Sequence, residues 1–238
     1  HSRASRVALV SPAPRGNPMP LVNHARQEIT LKVVYYGPGL GGKTTNLEFI
    51  HAHSRPERRG KLVSLAAESE RTLFFDLLPV ELGEFKGYQV RVHLCTVPGQ
   101  IAHDRTRQLV LRHVDGIVFV VDSQPGRIEQ NAASMVNLAE NLRLQGDDPE
   151  RLPLVVQYNK RDLLDVVLIE ELRTTLGIAE EVPEIEAIAP RGIGVFETMK
   201  VVLKACLQLV GDPARAKEGR SPSIIPSRRI SMFPGAPA

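Results

Sequence analysis

No uncharged apolar run in the chain approaches 18 residues, so no segment is predicted to cross a membrane as a helix. Cysteine is scarce: Cys95 and Cys206 lie far apart and have no histidines at ligand-like spacing. That excludes a disulfide framework, offers no zinc pattern, and fits a reducing cytoplasm. No repeat of roughly 20 to 50 residues is apparent, which argues against a solenoid or propeller. A strong charge of one sign is also missing, since 30 basic residues face 27 acidic ones for a net +3. Even that small excess is confined to the ends. Residues 1–27 carry Arg3, Arg6, Arg15 and Arg26 with no acid, and residues 212–238 carry five basic residues against Asp212 and Glu218. The 184 residues between hold 21 basic and 25 acidic side chains. The central part is therefore mildly acidic, and a nucleic-acid role loses the basis that a basic chain would give it.

What is present suits a globular fold. Hydrophobic residues at 42% and charged residues at 24% exclude a wholly disordered or collagen-like chain, and 238 residues suit one domain with extensions. The stretch 11–20 is proline-rich and the end from Glu218 is rich in Pro, Ser and Arg. Neither has enough apolar periodicity to offset its ordering entropy. The expected layout is a flexible tail over 1–27, one domain over 28–211, and a second flexible tail over 212–238. Within the domain, strands are predicted over 29–36, 71–78, 89–96, 116–122, 153–158 and 185–189. Helices are predicted over 43–53, 102–112, 128–144, 168–176 and 195–210. Runs such as Ile117-Val118-Phe119-Val120-Val121 are apolar on both faces, as in a parallel sheet covered on both sides. The expected fold is α/β: a doubly wound, mostly parallel sheet with helices on both faces and ligands at the carboxyl ends of its strands.

Gly37-Pro38-Gly39-Leu40-Gly41-Gly42-Lys43-Thr44 matches G-x-x-x-x-G-K-[ST], with an apolar strand before it and a helix after it. Glycines let successive backbone N–H groups wrap a phosphate with no Cβ in the way. The following helix adds positive potential at its N-terminus. Lys43 is expected on the β- and γ-phosphates and the Thr44 hydroxyl on Mg²⁺. Gly37, Gly39, Gly41, Gly42, Lys43, Thr44 and Thr45 are thus candidate nucleotide-binding residues of a P-loop NTPase. This element alone does not choose between adenine and guanine.

The base is named by Asn159-Lys160-Arg161-Asp162, which follows a predicted strand and matches N-K-x-D. A carboxylate at Asp162 can accept from both N1–H and the exocyclic amine of guanine, a donor pair that adenine lacks. Lys160 would lay its aliphatic stem along the base, and Asn159 would tie this loop to the P-loop.

With these motifs, KVVYYGPGLGGKTTNLEFI from Lys32, ERTLFFDLLP from Glu70, TVPGQ from Thr96, VDSQ from Val121, QYNKRD from Gln157 and APRGIGVFET from Ala189, the chain resembles the bacterial MglA-type small Ras-like GTPases. These are polarity switches of gliding bacteria, and the resemblance covers about residues 28–210. It implies GTP and GDP as ligands, Mg²⁺ as cofactor, and slow hydrolysis without an activating protein. It also implies that Thr72 senses the γ-phosphate through Mg²⁺, that Gln100 after Gly99 orients the attacking water, and that Arg71 is an arginine finger supplied in cis. Ala189 occupies the place whose backbone N–H meets guanine O6. One position departs from the wider Ras-like pattern: D-x-x-G-Q is replaced by Thr96-Val97-Pro98-Gly99-Gln100, without the aspartate that holds a magnesium-bound water. The resemblance places Asp76 as its substitute, against the alternative of a strand-end carboxylate facing solvent. It further implies a dimeric Roadblock-type (MglB-like) activator, control of polarity or motility, and a possible polar location. The extensions leave a second function open, a nucleotide-loaded scaffold tethered to a polar partner such as a bactofilin, with hydrolysis incidental. A third, an ATP-dependent kinase or nucleic-acid motor, is disfavoured by Asp162. Arg105, Arg107 and Arg112 read as the polar face of a helix, and Tyr35 and Tyr36 as packing residues.

Overall fold

The computed structural model describes residues 21–65, 75–99 and 104–211. Residues 70–72 and 100, which include Arg71, Thr72 and Gln100, lie outside the described residues, as do 1–20 and 212–238.

The chain folds as β1 (Leu21–Asn23), β2 (Glu28–Tyr36), α1 (Lys43–His53), β3 (Val63–Leu65), β4 (Phe75–Phe85), β5 (Tyr88–Thr96), α2 (Asp104–Leu111), β6 (Gly116–Asp122), α3 (Ile128–Leu144), β7 (Leu154–Asn159), α4 (Ile169–Leu176), β8 (Glu184–Glu186) and α5 (Val195–Gly211). The sheet runs β3-β4-β5-β2-β6-β7-β8. From β5 to β8 every pairing is parallel, while β3 and β4 are antiparallel additions at one edge. The expected doubly wound α/β architecture is therefore present.

Alternation along β2 explains how the sheet is covered on both sides. Val34 and Tyr36 face one cluster with Leu111 of α2, Leu138 and Leu142 of α3 and Leu172 of α4. Leu31, Val33 and Tyr35 face the other, with Leu47 and Ile50 of α1 and Val202 and Cys206 of α5. All seven residues of β6 are buried, each large apolar one worth roughly 1.5 to 3 kcal/mol against exposure. This doubly covered centre fixes the strand ends from which the candidate loops project.

The structure corrects several expected boundaries. Strand β1 lies inside the stretch 1–27 expected as a tail. It pairs antiparallel with Glu28–Thr30 of β2, a length that β6, starting opposite Val33, leaves uncovered. The sheet therefore begins before residue 28. Strand β4 continues through Pro79 to Phe85, forming a hairpin with β5 and a register shift between Glu81 and Gly83. The strand expected over 185–189 is shorter: β8 ends at Glu186, and Ala189–Arg191 form a 3₁₀ turn with Pro190 in its first turn. Cys95 and Cys206 are both buried and free. No helix among the described residues is long and apolar enough to cross a membrane.

Candidate functional site

The carboxyl ends of β2, β6, β7 and β8 bring the glycine-rich loop, Asp122, the Asn159–Asp162 loop and the Ala189 turn together. At Gly42 the backbone has φ +100°, a left-handed value suited to glycine, and an added Cβ would lie 2.1 Å from Asn159 Nδ2. That close approach lets Asn159 act as a clamp. Its Nδ2 donates to Gly41 O at 2.8 Å, and its Oδ1 accepts the Ala189 N–H at 3.0 Å. The expected tie between base loop and P-loop is thus seen directly. The same bond engages the Ala189 N–H, the donor expected to meet guanine O6. Pro190 beside it has no N–H to offer in its place.

Lys160 reaches back to β6. Its Nζ donates to Asp122 Oδ2 at 2.7 Å and to Gln124 Oε1 at 3.0 Å. Asp122 is fully buried and also pairs with Arg127 Nε at 3.5 Å, while Arg127 Nη2 donates to Gly39 O. Lys160 itself has φ +67°, so the turn after β7 aims its stem across the loop. Asp162 is exposed and has no hydrogen-bond or ion-pair partner among the described residues, leaving its carboxylate open to an incoming donor pair.

Lys43, Thr44 and Thr45 lie in a cleft of about 410 Å³ that also includes Leu40, Ser64, Asp76 and Gly99. Lys43 is buried, with Nζ donating to Gly37 O at 3.0 Å and Pro38 O at 2.6 Å. Burial foremost, then the nearby Arg107 charge, brings its ammonium down to about 7; Asp76 opposes the shift and Arg127 adds to it. A lysine this easily deprotonated is one that an anionic ligand would strongly recharge.

Asp76 is a buried carboxylate, not a solvent-facing one. Thr44 Oγ1 donates to its Oδ2 at 2.7 Å, Thr96 Oγ1 to Oδ2 at 2.9 Å, and Ser64 Oγ to Oδ1 at 2.7 Å. The Asp76 N–H in turn donates to Thr96 Oγ1 at 2.9 Å. Thr96 stands where the Ras-like pattern has its aspartate, and its hydroxyl holds the Asp76 carboxylate in place from the neighbouring strand. Carboxylate and hydroxyl oxygens are hard donors, the chemistry that Mg²⁺ selects. Gly99 packs against the P-loop: a Cβ there would lie 2.1 Å from Gly39 Cα.

Three residues that hold these loops were assigned no role from the sequence. Asp122 had a signal, the carboxylate ending an otherwise apolar strand. Ser64 and Arg127 had none, because their roles come from tertiary neighbours. Arg107 was misassigned. It lies on α2 but is fully buried, not on a polar face, with Nε donating to Pro98 O and Nη2 to Gly99 O.

Comparison with known proteins agrees with this geometry. The profile of the ADP-ribosylation factor family (Arf) matches residues 74–210. Over 189 residues the chain is 52% identical to the mutual gliding-motility protein MglA of Myxococcus xanthus (strain DK1622), covering 79% of this chain and 96% of that protein.

Proposed function

Because the chain belongs to the MglA-type small Ras-like GTPases, within reach of the Arf family profile, and so binds GTP and hydrolyses it to GDP, we propose that it is the switch of a bacterial polarity or motility system. The observation that carries the nucleotide reading is the Asn159 clamp, which couples the loop that would cradle phosphate to the loop that would read the base.

In this reading Asp162 accepts the two guanine donors and Lys160, held by Asp122, covers the base. Backbone N–H groups from Gly37 to Thr44 wrap the phosphates, and Lys43 exchanges its two carbonyl partners for phosphate oxygens. Thr44 and Asp76, with Thr72, would hold Mg²⁺, which would offset the negative charge of the β- and γ-phosphates. Gln100 orients the attacking water, and Arg71 supplies a guanidinium from within the same chain. A dimeric Roadblock-type activator then need only arrange Arg71 and Gln100, without donating a residue of its own. The gliding-motility name of the Myxococcus xanthus relative supports the biological setting. A polar scaffold of bactofilin type is the corresponding partner for the extensions.

The test is phosphate release from GTP, with and without a Roadblock-type dimer, for the unaltered chain, Arg71→Ala and Gln100→Ala. Arg71→Ala should bind GDP normally and lose the stimulated rate. Full stimulation of that variant would remove the internal finger.

A further inference from the structure

Arg107 is a fully buried cation. It sits in mid-helix in α2 with no exposed surface, and no carboxylate among the described residues is paired with it. A buried guanidinium is costly unless its donors are satisfied. Here they are divided between two bodies. Nε and Nη2 reach forward to Pro98 O at 2.9 Å and Gly99 O at 2.8 Å. Nη1 reaches back to Asn137 Oδ1 of α3 at 2.6 Å and Tyr36 Oη of β2 at 3.4 Å, and the guanidinium lies 5.1 Å from the Tyr36 ring centre.

The rear anchor is itself braced. Tyr36 Oη donates to Asn137 Oδ1 at 2.5 Å. Asn137 Nδ2 and Asn141 Nδ2 donate to Asp104 Oδ1 at 2.8 and 2.7 Å, and Gln108 Nε2 donates to Asp104 Oδ2 at 2.9 Å. Helix α2 is thus fastened to α3 at its first turn, and Arg107 passes that fixity to the two carbonyls of Pro98 and Gly99. Gly99 rests on Gly39 of the P-loop, and Gln100 is the next residue along the chain. A helix needing only to pack would place an apolar side chain at position 107.

We propose that Arg107 is a positioning residue for GTP hydrolysis: by gripping the Pro98 and Gly99 carbonyls it sets the point and direction from which Gln100 leaves the loop. This rests on Gln100 being the water-orienting residue. Arg107 touches neither the Asn159–Asp162 loop nor the Ala189 turn, so its loss should act on turnover and not on guanine affinity.

Arg107→Lys tests this in the full chain, because it keeps the charge beside Lys43 and removes the fork that spans two carbonyls. Misplacement of a catalytic group by ~1 Å can cost about 100-fold, so GTP turnover should fall roughly 10- to 100-fold while KM and GDP affinity stay within about 2-fold. Amide exchange over residues 96–99 should accelerate. Tyr36→Phe, which removes one rear partner and leaves the ring in place, should show a smaller loss with the same split. In parallel, Gln100→Ala should be no slower when Arg107→Lys is added to it, as two changes acting through one group are not additive. Wild-type turnover in Arg107→Lys, or equal losses in turnover and GDP affinity, would overturn the proposal. If Arg107→Lys does not fold, wild-type turnover in Tyr36→Phe would overturn it. Wild-type turnover in Gln100→Ala would instead remove the role of Gln100 on which the proposal stands, and the exchange data would report the grip on the loop separately.

Discussion

Replacing Asp76 by Asn removes one negative charge from the cleft while keeping the size of the side chain. Three hydroxyl donors meet the carboxylate, from Thr44, Ser64 and Thr96. Hydrogen bonds to a charged group contribute about 1.5 to 3 kcal/mol each and neutral ones about 0.5 to 1.5, so up to roughly 3 to 4 kcal/mol of bonding is weakened. Against this, a carboxylate no longer has to be buried, a desolvation cost of several kcal/mol. The two effects are of similar size and opposite sign, so thermal stability should change little. Magnesium binding has no such compensation. Loss of a partner that orients or ligates a metal typically lowers affinity by about 10- to 100-fold. The assay follows release of a fluorescent GDP analogue as Mg²⁺ is titrated. Asp76→Asn should move the Mg²⁺ midpoint upward by that factor, with the metal-free rate unchanged. An unmoved midpoint would exclude Asp76 from the metal site, and so would an equal change with and without metal.

Two further outcomes follow from the same site. In the free protein Lys43 loses its proton as pH rises through about 7, whereas bound phosphates favour the charged form, so GDP binding at pH 8 should take up a proton and weaken as pH rises further. Calorimetry in two buffers of different ionisation enthalpy checks this, and a buffer-independent heat would contradict it. Asn159→Ala should leave the Gly41 carbonyl and the Ala189 N–H without their partner, each worth about 1 to 3 kcal/mol. GDP affinity should fall at least about 10-fold along with the melting temperature; unchanged affinity would show that the clamp does not organise the site.

The parts of the fold that were legible are those where local pattern and tertiary role agree. β6 is apolar throughout because both of its faces are covered, and α1 starts at Lys43 because the left-handed Gly42 before it lies outside the helix. Where local signals conflict with context, the sequence misleads. Pro79 looks like the end of a strand, yet it lies within β4, opposite His93 of β5, while its carbonyl still accepts the Gly60 N–H. Leu21–Asn23 is too short and too close to prolines to announce a strand; it forms because the lower part of β2 leaves an edge open. The same division holds at the site. The glycine-rich loop and N-K-x-D motif were readable because their chemistry lies in consecutive residues. Asp76 came from the family resemblance, and the structure added the reason it can remain buried, its three hydroxyl donors. Arg107 was unreadable in sequence, since an arginine between Thr106 and Gln108 looks solvated until Pro98, Gly99, Tyr36 and Asn137 are seen around it.

The most direct test of the account is competition of GDP and ADP for the Mg²⁺-supplied protein. A site that pairs Asp162 with both guanine donors should reject adenine by up to about 10⁴-fold, because ADP seated there would cover that carboxylate from water without offering it a donor. GDP should bind tightly and ADP should barely displace it, and that preference should collapse in Asp162→Asn. Comparable affinities for GDP and ADP would contradict the pairing of Asp162 with guanine.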